Sequence, residues 1–356
     1  MQNQSNKSAP SVSVAIPAFN EEEDIGRILK LFSQSAYPNV VEILVADGGS
    51  TDRTREIIEE MGREDGRIRL VDNPGKIQSA GLNEILKIAR GELLLRADAH
   101  SLYADDYLEA SVRAVLESGA LNAGGAQRFV ARTPFQAGIA LAVRTFLGSG
   151  GASYRDPGYT GYADTVYIGC YRTEAIRSLG GFSTKNGPNE DAEMNLRLSK
   201  MQPNAIYISS DVRTWYFPRS SWSALFRQYF HYGRGRKLTQ LKHPDSNPLR
   251  SRIPFYSISF LLIWLIMDLL FLSGKTYSLA ALFTSLLVPP IASLIETIRS
   301  REIFKQQIWK GADDHEPGLF RRFLLTAICL YTMPVAHFTG YLYQSVKYLF
   351  TRRLEF

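Results

Sequence analysis

The sequence predicts an α/β domain with a mixed, mostly parallel sheet, followed by a helical membrane region. Three observations indicate this fold class. Short apolar runs alternate with segments of helical periodicity in the first half of the chain, which is typical of parallel strands joined by crossover helices. Polar motifs follow the apolar runs directly. The C-terminal part consists mainly of long apolar stretches that flank basic residues.

The elements follow from the spacing of the apolar residues. Buried apolar runs predict strands at residues 12–16, 42–46, 67–71 and 92–97. Apolar residues at helical spacing predict helices at residues 22–35, 50–61, 76–90 and 105–117. The Gly-rich residues 121–165 are expected to form loops and short strands, and a helix is expected to begin near Asp191. In such sheets, ligands bind at the carboxyl ends of the strands, near a topological switch point.

We expect four regions along the 356 residues: a disordered tail at 1–10, a catalytic domain at 11–220, an amphipathic interface helix and linker at 221–252, and a membrane region at 253–356. The membrane region contains apolar segments at about 254–272, 276–295 and 323–349, each near the length that spans a bilayer. A buried helical bundle is the alternative. Three spans would place the basic C-terminus outside, against the positive-inside tendency. The third segment is therefore expected to be a re-entrant hairpin or an interfacial helix.

Charge and cysteine content narrow the cellular setting. The net charge is +6, and the basic residues flank the apolar runs, which favours contact with anionic lipid or phosphate. No nucleic-acid-binding motif is evident, so nucleic acid is not an expected partner. Cys170 and Cys329 do not form a disulfide framework, and the polar N-terminus does not resemble a signal peptide. We expect a plasma-membrane or inner-membrane protein with a cytosolic catalytic domain.

Acidic motifs stand where the predicted strands end. VAIPAFNEE ends the first strand, EILVADGGSTDRT contains the second, ARGELLLRAD leads into Asp98-Ala99-His100, and Glu190-Asp191 lies further on. In this order and spacing, the motifs resemble glycosyltransferase family 2 over about residues 11–240. The HYGRGR stretch and the apolar tail resemble its membrane-anchored subgroup, which includes succinoglycan-type exopolysaccharide glucosyltransferases.

The resemblance implies the GT-A fold, which is Rossmann-like, and transfer with inversion at the anomeric carbon. The implied reaction moves a sugar, glucose or another hexose, from a UDP-sugar to a polyprenyl-diphosphate-linked saccharide in the synthesis of exopolysaccharide or another cell-surface glycan. Three alternatives stay open at this point. They are transfer to polyprenyl phosphate itself, a processive polysaccharide synthase, and a membrane-anchored binding module without activity.

The resemblance also implies which residues bind the donor. Asp47 is expected to accept a hydrogen bond from an N–H of the base. The nucleoside pocket is expected to be lined by Pro17, Ala18, Phe19 and Glu21, with Glu21 near the ribose. Lys76 follows the turn Asn73-Pro74-Gly75 and is expected either to approach the donor or to be a solvated lysine.

A divalent cation is expected to bridge the diphosphate and to offset the charge of the leaving group. Asp98 and His100 are the predicted ligands, where the family usually has an aspartate at both positions. A histidine ligand suits Mn²⁺ better than Mg²⁺, although Mg²⁺ stays possible. In the alternative, His100 lies outside the first coordination sphere and Asp98 and the phosphates hold the metal.

Asp191 is the predicted general base that takes the proton of the acceptor hydroxyl, and Glu190 is expected to orient the acceptor. An acidic start of a helix without catalytic function is the alternative. Residues 221–242 mix aromatic and basic residues and predict an interface helix. On this helix, Gln228 and His231 are expected near the acceptor or donor site. Arg234 and Arg236 are expected to hold the donor diphosphate or a lipid phosphate, or simply to contact lipid headgroups.

Overall fold

The computed structural model describes residues 9–185, 189–244, 252–271 and 277–356. These residues form two compact units. Unit 1 contains the described residues up to 127 together with 156–184 and 190–215, and unit 2 contains 128–155, 216–356 and the described part of 185–189. The predicted boundary at residue 220 falls near the observed one at 215–216. Residues 128–155, expected in the catalytic domain, belong to unit 2. Most of the predicted tail at 1–10 lies outside the described residues.

The strands are short and follow one another closely along the chain. They are β1 (Val12–Ala18), β2 (Val40–Asp47), β3 (Ile68–Asp72), β4 (Leu93–Arg96), β5 (Leu102–Tyr103), β6 (Asn122–Gly124), β7 (Gln127–Phe129), β8 (Gly161–Tyr162), β9 (Cys170–Arg172), β10 (Ile206–Ile208) and β11 (Thr214–Tyr216). The main sheet of unit 1 has the order β3-β2-β1-β4-β9-β6-β10-β8. Its first four strands run parallel, and β9 runs antiparallel to both β4 and β6. This confirms the predicted mixed, mostly parallel sheet.

The helices are α1 (Ile25–Ser33), α2 (Thr54–Glu64), α3 (Gln78–Ile88), α4 (Tyr107–Ser118), α5 (Pro134–Ala142), α6 (Phe146–Ser149), α7 (Thr173–Ser178), α8 (Glu190–Met201), α9 (Trp222–Lys242), α10 (Ile253–Phe271), α11 (Ser278–Arg299) and α12 (Leu319–Thr351). In unit 1, α1 buries one face through Ile25, Ile28, Leu29 and Phe32, the face that its spacing predicts. These side chains belong to the core that the sheet and α4 complete.

The order β3-β2-β1-β4 creates a topological switch point in unit 1. Crossovers from β1 lead through β2 to β3 on one side, and the chain then returns to place β4 on the other side of β1. The carboxyl ends of β1, β2 and β4 therefore lie side by side. They carry Phe19, Asp47 and Asp98 into one region, which is where such a sheet binds its ligand.

Helix α5 is a departure from the sequence-based expectation of loops and short strands at 121–165. Its start has clear local signals. The Thr133 hydroxyl accepts the Gln136 N–H at 3.3 Å, and the Gln136 side chain accepts the Thr133 N–H at 3.1 Å. This reciprocal capping box, with Pro134 in the first helical position, is a strong start signal. The buried side of α5 packs against α12 within unit 2, where Gly138 meets Leu325.

Unit 2 is organised around the packing of α9 on α12. At their crossing, a Cβ added to Gly233 would overlap the carbonyl oxygen of His337, and one added to Gly340 would overlap that of Phe230. The two backbones approach each other because both helices have glycine there. The Trp222 indole also donates to the Thr332 hydroxyl at 3.0 Å. One glycine of the HYGRGR stretch thus serves helix packing.

Three helices of the described chain, α10, α11 and α12, are long and apolar enough to cross a membrane, judged by length and composition. They cover most of the three predicted segments; residues 272–276, at the edges of two segments, lie outside the described residues. Asp268, buried in α10, accepts the Ser278 hydroxyl of α11 at 2.5 Å. That bond gives a polar partner to an acid in an apolar helix.

The expected re-entrant hairpin at 323–349 is wrong. Leu319–Thr351 is one continuous helix that passes through Pro334 without reversing. Its neighbours α5, α9 and α11 pack along it, and this packing holds the helix together across the proline. The interfacial helix, which is the second expectation for this segment, stays a prediction.

Gly340→Ala should destabilise unit 2, because the added methyl group has to displace the backbone of α9 at Phe230. Overpacking of this kind costs about 1–3 kcal/mol. Thermal unfolding of the purified full chain in detergent should show a lower melting temperature. Gly318→Ala is the matched control, because a Cβ there meets nothing within 4 Å. Equal melting temperatures for the two variants would contradict the close crossing.

Candidate functional site

The loops that follow β1 and β2 are fastened to each other. The Asn20 N–H donates to the Ser50 hydroxyl at 2.8 Å, and the Asn20 side chain accepts the Thr51 N–H at 2.8 Å. One residue further on, the Glu21 N–H donates to the Thr54 hydroxyl at 2.8 Å. Asn20 adopts a left-handed conformation with a φ of 54°, which asparagine tolerates better than most residues. The two strand ends therefore form a single rigid rim.

Asp47 lies at the centre of this rim, and its side chain is fully buried. Its carboxylate accepts hydrogen bonds from the Gly49 N–H at 3.0 Å, from Arg55 Nη1 at 2.9 Å and from both the N–H and the hydroxyl of Ser50. Burial raises the pKa of Asp47, but the hydrogen bonds from Ser50 and Arg55 outweigh burial and hold the pKa below its ordinary value. Asp47 is thus an ionised acid that shapes the loop.

Two exposed side chains stand beside Asp47. Phe19 directly follows β1 and has 57% of its surface exposed, although large apolar side chains are more often buried. Pro17 and Ala18 belong to β1 itself, and the Ala18 carbonyl accepts the Gly48 N–H at 2.9 Å. Lys76 approaches Gly49 and has a left-handed φ of 53°. Strained backbone of this kind is concentrated at binding and catalytic sites.

Asp98 follows β4 and is nearly buried. Its Oδ1 accepts Gln78 Nε2 at 3.0 Å and Arg96 Nε at 3.3 Å. The Tyr103 hydroxyl binds both backbone groups of Asp98. It accepts the Asp98 N–H at 2.7 Å and donates to the Asp98 carbonyl at 3.1 Å. In the part of the chain that the structure describes, Oδ2 has no hydrogen-bond donor. Asp98 therefore has a fixed position and one oxygen available for a ligand.

His100 lies two residues after Asp98 with about half of its side chain exposed, and its Nδ1 is 2.9 Å from Glu21 Oε1. Glu21, expected near a ribose, thus contacts the imidazole. A carboxylate on Nδ1 favours the tautomer whose Nε2 can bind a metal. Among the described residues, no group of three or more histidine, cysteine or acidic side chains is arranged to hold a metal ion. The predicted ligands Asp98 and His100 therefore do not belong to a larger cluster of this kind in the described part of the chain.

Arg96 connects Asp98 to the start of α8. This nearly buried guanidinium lies 3.3 Å from Asp98 Oδ1 through Nε and 3.3 Å from Glu190 Oε1 through Nη1. Burial raises the pKa of Glu190 to about 7, because Arg96 only partly offsets burial and the neighbouring Asp191 adds to the increase. The acidic pair predicted from the sequence is therefore joined to Asp98 through one internal arginine.

The two acids at the start of α8 have different surroundings. Glu190 is buried, whereas Asp191 is partly exposed and its Oδ1 accepts the Ala192 N–H at 2.6 Å. Helix α8 is fixed by Arg197, which donates to the carbonyls of Leu179 and Gly181 at 2.8 and 2.7 Å. Asp191 is thus the acid that solvent or a substrate can reach, and Glu190 is the acid of the internal network.

The remaining predicted residues lie on α9 in unit 2. Gln228 Nε2 donates to the hydroxyls of Tyr216 and Tyr232 at 3.2 and 3.0 Å. Burial lowers the pKa of His231, and nearby Arg234 lowers it further. Arg234 stacks 4.0 Å from the centre of the Phe356 ring and donates to Gln344 at 3.2 Å. These contacts engage Arg234 within unit 2, which does not support its predicted role as a phosphate ligand.

Arg236 is separated from Arg234 by Gly235, whose missing side chain leaves room for Asn189. The Asn189 amide donates to the Tyr232 carbonyl at 3.4 Å. The second glycine of HYGRGR therefore serves the contact of α9 with Asn189. Within the described residues, Arg236 forms no ion pair with a carboxylate. Its predicted role as a phosphate ligand therefore stays a proposal.

Sequence reasoning missed Arg96, Gln78 and Arg27. Arg27 on α1 donates to the carbonyls of Ala99 and Ser101 at 3.3 and 3.1 Å and so holds the turn around His100. For Arg96 a signal existed, because a charged residue ends the otherwise apolar run LLLR of a buried strand, and buried arginines need partners. Gln78 and Arg27 occupy ordinary polar positions of helices, and their sequence context gives no signal.

A doubly wound sheet with acidic side chains at its switch point defines an α/β protein that binds its ligand at the strand ends. Comparisons with known proteins make the class specific. The sequence signature of Glycosyl transferase family 2 matches residues 13–172. The Succinoglycan biosynthesis protein ExoA of Rhizobium meliloti (strain 1021) is 37% identical over 68% of this chain and 73% of its own length. The chain belongs to glycosyltransferase family 2.

Other relatives extend the same picture. A dolichyl N-acetyl-α-D-glucosaminyl phosphate 3-β-D-2,3-diacetamido-2,3-dideoxy-β-D-glucuronosyltransferase of Methanococcus voltae is 29% identical over 64% of this chain and 73% of its own length. Among solved structures, the mannosyltransferase PcManGT of Pyrobaculum calidifontis, in complex with GDP-Man and Mn²⁺, aligns with a TM-score of 0.51 at 16% identity, covering 96% of this chain and 88% of that one. That likeness concerns the fold, and it confirms the expected GT-A architecture.

Arg96→Met should destabilise unit 1 strongly, because it leaves the carboxylates of Asp98 and Glu190 buried without their cation. Removing one partner of a buried ion pair costs about 3–5 kcal/mol. Arg113→Met is the control, since the exposed Arg113–Asp211 pair is worth at most about 1 kcal/mol. Denaturant unfolding of both variants measures the difference. Similar losses in the two variants would contradict the bridging role of Arg96.

The raised pKa of Glu190 has a consequence for stability. The pKa of Glu190 rises from its ordinary value of 4.5 to about 7 on folding, so the folded chain holds the proton more tightly than the unfolded chain does. The proton therefore adds to the free energy of unfolding at low pH, and this stabilisation is lost as the pH rises through about 7. Relative to the native protein, Glu190→Gln should therefore gain melting temperature from about pH 5 to about pH 8. The control is Glu174→Gln, at an exposed acid of α7. Its melting temperature should differ from that of the native protein by the same amount at every pH. If the same holds for Glu190→Gln, Glu190 is ionised throughout this pH range.

Proposed function

We propose that the protein transfers a hexose from a UDP-sugar to a lipid-linked saccharide, with inversion at the anomeric carbon, during the synthesis of an exopolysaccharide or other cell-surface glycan. The observation that carries the proposal is the chain of side chains Asp98, Arg96 and Glu190, which links the strand-end acid to the acids of α8. It supports a single site where a donor diphosphate and an acceptor hydroxyl meet.

The proposed donor site is the rim formed by the β1 and β2 loops. Phe19 offers an exposed ring to the nucleoside, and Pro17 and Ala18 form the wall behind it. Asp47 acts first by holding the Gly49–Ser50 backbone. For a direct hydrogen bond with the base, Asp47 has to release one of these partners. Lys76, placed beside Gly49, is proposed to contact the phosphates as a flexible cation.

Asp98 and His100 are proposed to hold a divalent cation, and their chemistry fits one. Asp98 offers a hard carboxylate oxygen, and the Glu21 carboxylate prepares His100 to bind through Nε2. This pair suits Mn²⁺ better than Mg²⁺, and PcManGT was solved in complex with Mn²⁺. When bound, the cation would stabilise the charge that develops on the leaving diphosphate.

Asp191 is proposed to take the acceptor proton. The acceptor oxygen attacks the anomeric carbon, the bond from that carbon to the diphosphate oxygen breaks, UDP leaves, and the proton passes to the Asp191 carboxylate. Its partial exposure supports this role. Glu190 is proposed to orient the acceptor indirectly, because Arg96 holds it in the interior. Gln228 and His231, both on α9, keep their predicted role near the acceptor or donor as a proposal.

The lipid-linked acceptor and the membrane setting rest on two observations. Three helices within the described residues are long and apolar enough for a membrane. The names of two relatives refer to succinoglycan biosynthesis and to transfer onto a dolichyl-phosphate-linked sugar. With these helices in the plasma membrane or inner membrane, we propose that the catalytic domain faces the cytosol, where nucleotide sugars are made.

Asp191→Asn should abolish transfer and leave UDP binding intact, because a general base contributes about 10²–10⁴ in rate and little to donor affinity. The full chain, purified with Mn²⁺, is supplied with a panel of nucleotide sugars and a polyprenyl-diphosphate-linked saccharide, and UDP release is measured. Glu174→Gln is the matched control, since Glu174 is also the second residue of a helix.

Three outcomes would overturn parts of this proposal. Full activity of Asp191→Asn excludes Asp191 as the base. Transfer to bare polyprenyl phosphate, with only a mild effect of Asp191→Asn, would identify that lipid as the acceptor, because a phosphate is already ionised and needs no base. Long polymer made by one enzyme molecule would identify a processive synthase.

A further inference from the structure

Unit 2 contains a half-buried cation that the proposed mechanism does not use. Arg155 ends the short 3₁₀ turn Ser153–Arg155. Its guanidinium lies 4.7 Å from the centre of the Phe129 ring and 5.1 Å from that of Tyr154. Tyr229 and Tyr232 of α9 are near enough to interact with it electrostatically. The term tyrosine cluster is used below for the aromatic side chains of Phe129, Tyr154, Tyr216, Tyr229 and Tyr232.

The nitrogen Nη1 of Arg155 is buried and has no hydrogen-bond acceptor within the described residues. No described carboxylate forms an ion pair with Arg155 either. Since arginine stays protonated at all relevant pH values, the cluster holds a permanent positive charge beside the rings of Phe129 and Tyr154. Leaving such a donor without an acceptor is costly, and an unsatisfied buried donor in a native fold requires an explanation.

The surroundings of Arg155 are ordered by polar contacts. Gln228 Nε2 donates to the hydroxyls of both Tyr216 and Tyr232. The Tyr229 and Tyr232 rings meet edge to face with centres 5.4 Å apart, and Phe129 and Tyr216 do the same at 5.2 Å. The aromatic side chains are thus held in place around the guanidinium. Such preorganisation lowers the entropic cost of binding a ligand.

We infer that Arg155 and the tyrosine cluster form a binding site for the diphosphate of an isoprenoid lipid. A phosphate oxygen supplies the acceptor that Nη1 lacks, and guanidinium groups bind phosphates with charge-assisted hydrogen bonds. The lipid source follows from position, because Gln228, Tyr229 and Tyr232 lie on α9, which packs directly against the apolar helix α12. The inference rests on the proposed lipid-linked acceptor and adds the residues that hold its diphosphate.

This site differs from the phosphate site that the sequence predicts at Arg234 and Arg236. Arg234 was a predicted phosphate ligand, but its guanidinium already stacks on Phe356 and donates to Gln344. Arg155 lies in a Gly-rich stretch without a recognisable motif, so the sequence gives no signal for it. Of these two arginines, Arg155 is the one with an unsatisfied nitrogen.

The test measures binding of geranyl diphosphate, inorganic pyrophosphate and UDP to the full chain in detergent by calorimetry. Hydrogen bonds to a charged group predict that Arg155→Gln binds geranyl diphosphate at least about tenfold more weakly than the native protein. Arg155→Lys should lie in between, since it keeps the charge without the fork of donors. Arg132→Gln is the matched control: Arg132 is exposed and stacks on Phe217, 4.2 Å from its ring centre, also in unit 2. It should bind like the native protein.

Each result decides the inference. Equal affinity of Arg155→Gln and native protein for geranyl diphosphate overturns it. Inorganic pyrophosphate that binds as tightly as geranyl diphosphate overturns the lipid as the source. If Arg155→Gln does not fold, Arg155→Lys decides. Should this variant bind geranyl diphosphate as tightly as the native protein but melt at a lower temperature, Arg155 only supports the aromatic side chains, and the inference is overturned. UDP affinity should be the same in all variants. A protein that binds geranyl diphosphate through Arg155 but transfers no sugar would contradict the proposed function and leave this site standing.

Discussion

One buried guanidinium determines how unit 1 is arranged around its strand ends. Arg96 ends β4 and interacts with two carboxylates on different elements, Asp98 after the strand and Glu190 at the start of α8. Taking three charged groups out of water is costly, and a buried ion pair seldom adds net stability. Its value is geometric, because the carboxylates can be buried only where they meet the arginine. The start of α8 is thereby fixed relative to the strand end, and with it the neighbouring Asp191.

The acids around this arginine divide into internal and accessible ones. Asp47 and Glu190 are buried. Loop hydrogen bonds hold the pKa of Asp47 below its ordinary value, and burial raises the pKa of Glu190 to about 7. Asp191 is open, and Asp98 has one oxygen without a described donor. A site that binds an anionic donor and also removes a proton needs both kinds of acid. Internal acids give the loops their shape, and the proposed ligand contacts fall to the accessible acids.

Sequence patterns predicted those parts of the fold that depend on local spacing. The parallel strands and α1 follow from apolar periodicity, and Asp47 and Asp98 follow from their positions after strands. Contacts distant in sequence were not accessible in this way. Arg96 finds Glu190 across 94 residues, and the glycines of HYGRGR are explained by α12 and Asn189. Helix α5 is a different case, since its capping box was readable, but the surrounding glycines favoured a loop.

The arginines of unit 2 show why an unsatisfied nitrogen is informative. Arg144 pairs with the nearly buried Glu296 at 2.9 Å, and Ser300 donates to the same carboxylate. Arg234 stacks on aromatic rings and still finds an amide oxygen in Gln344. Both show that this unit can supply acceptors for its guanidinium groups. Arg155 has comparable aromatic contacts, and its Nη1 lacks an acceptor among the described residues. An acceptor from outside the chain satisfies Arg155 in the way that Glu296 and Gln344 satisfy the other two, and in a unit built on apolar helices the fitting source is a phosphate carried by a lipid.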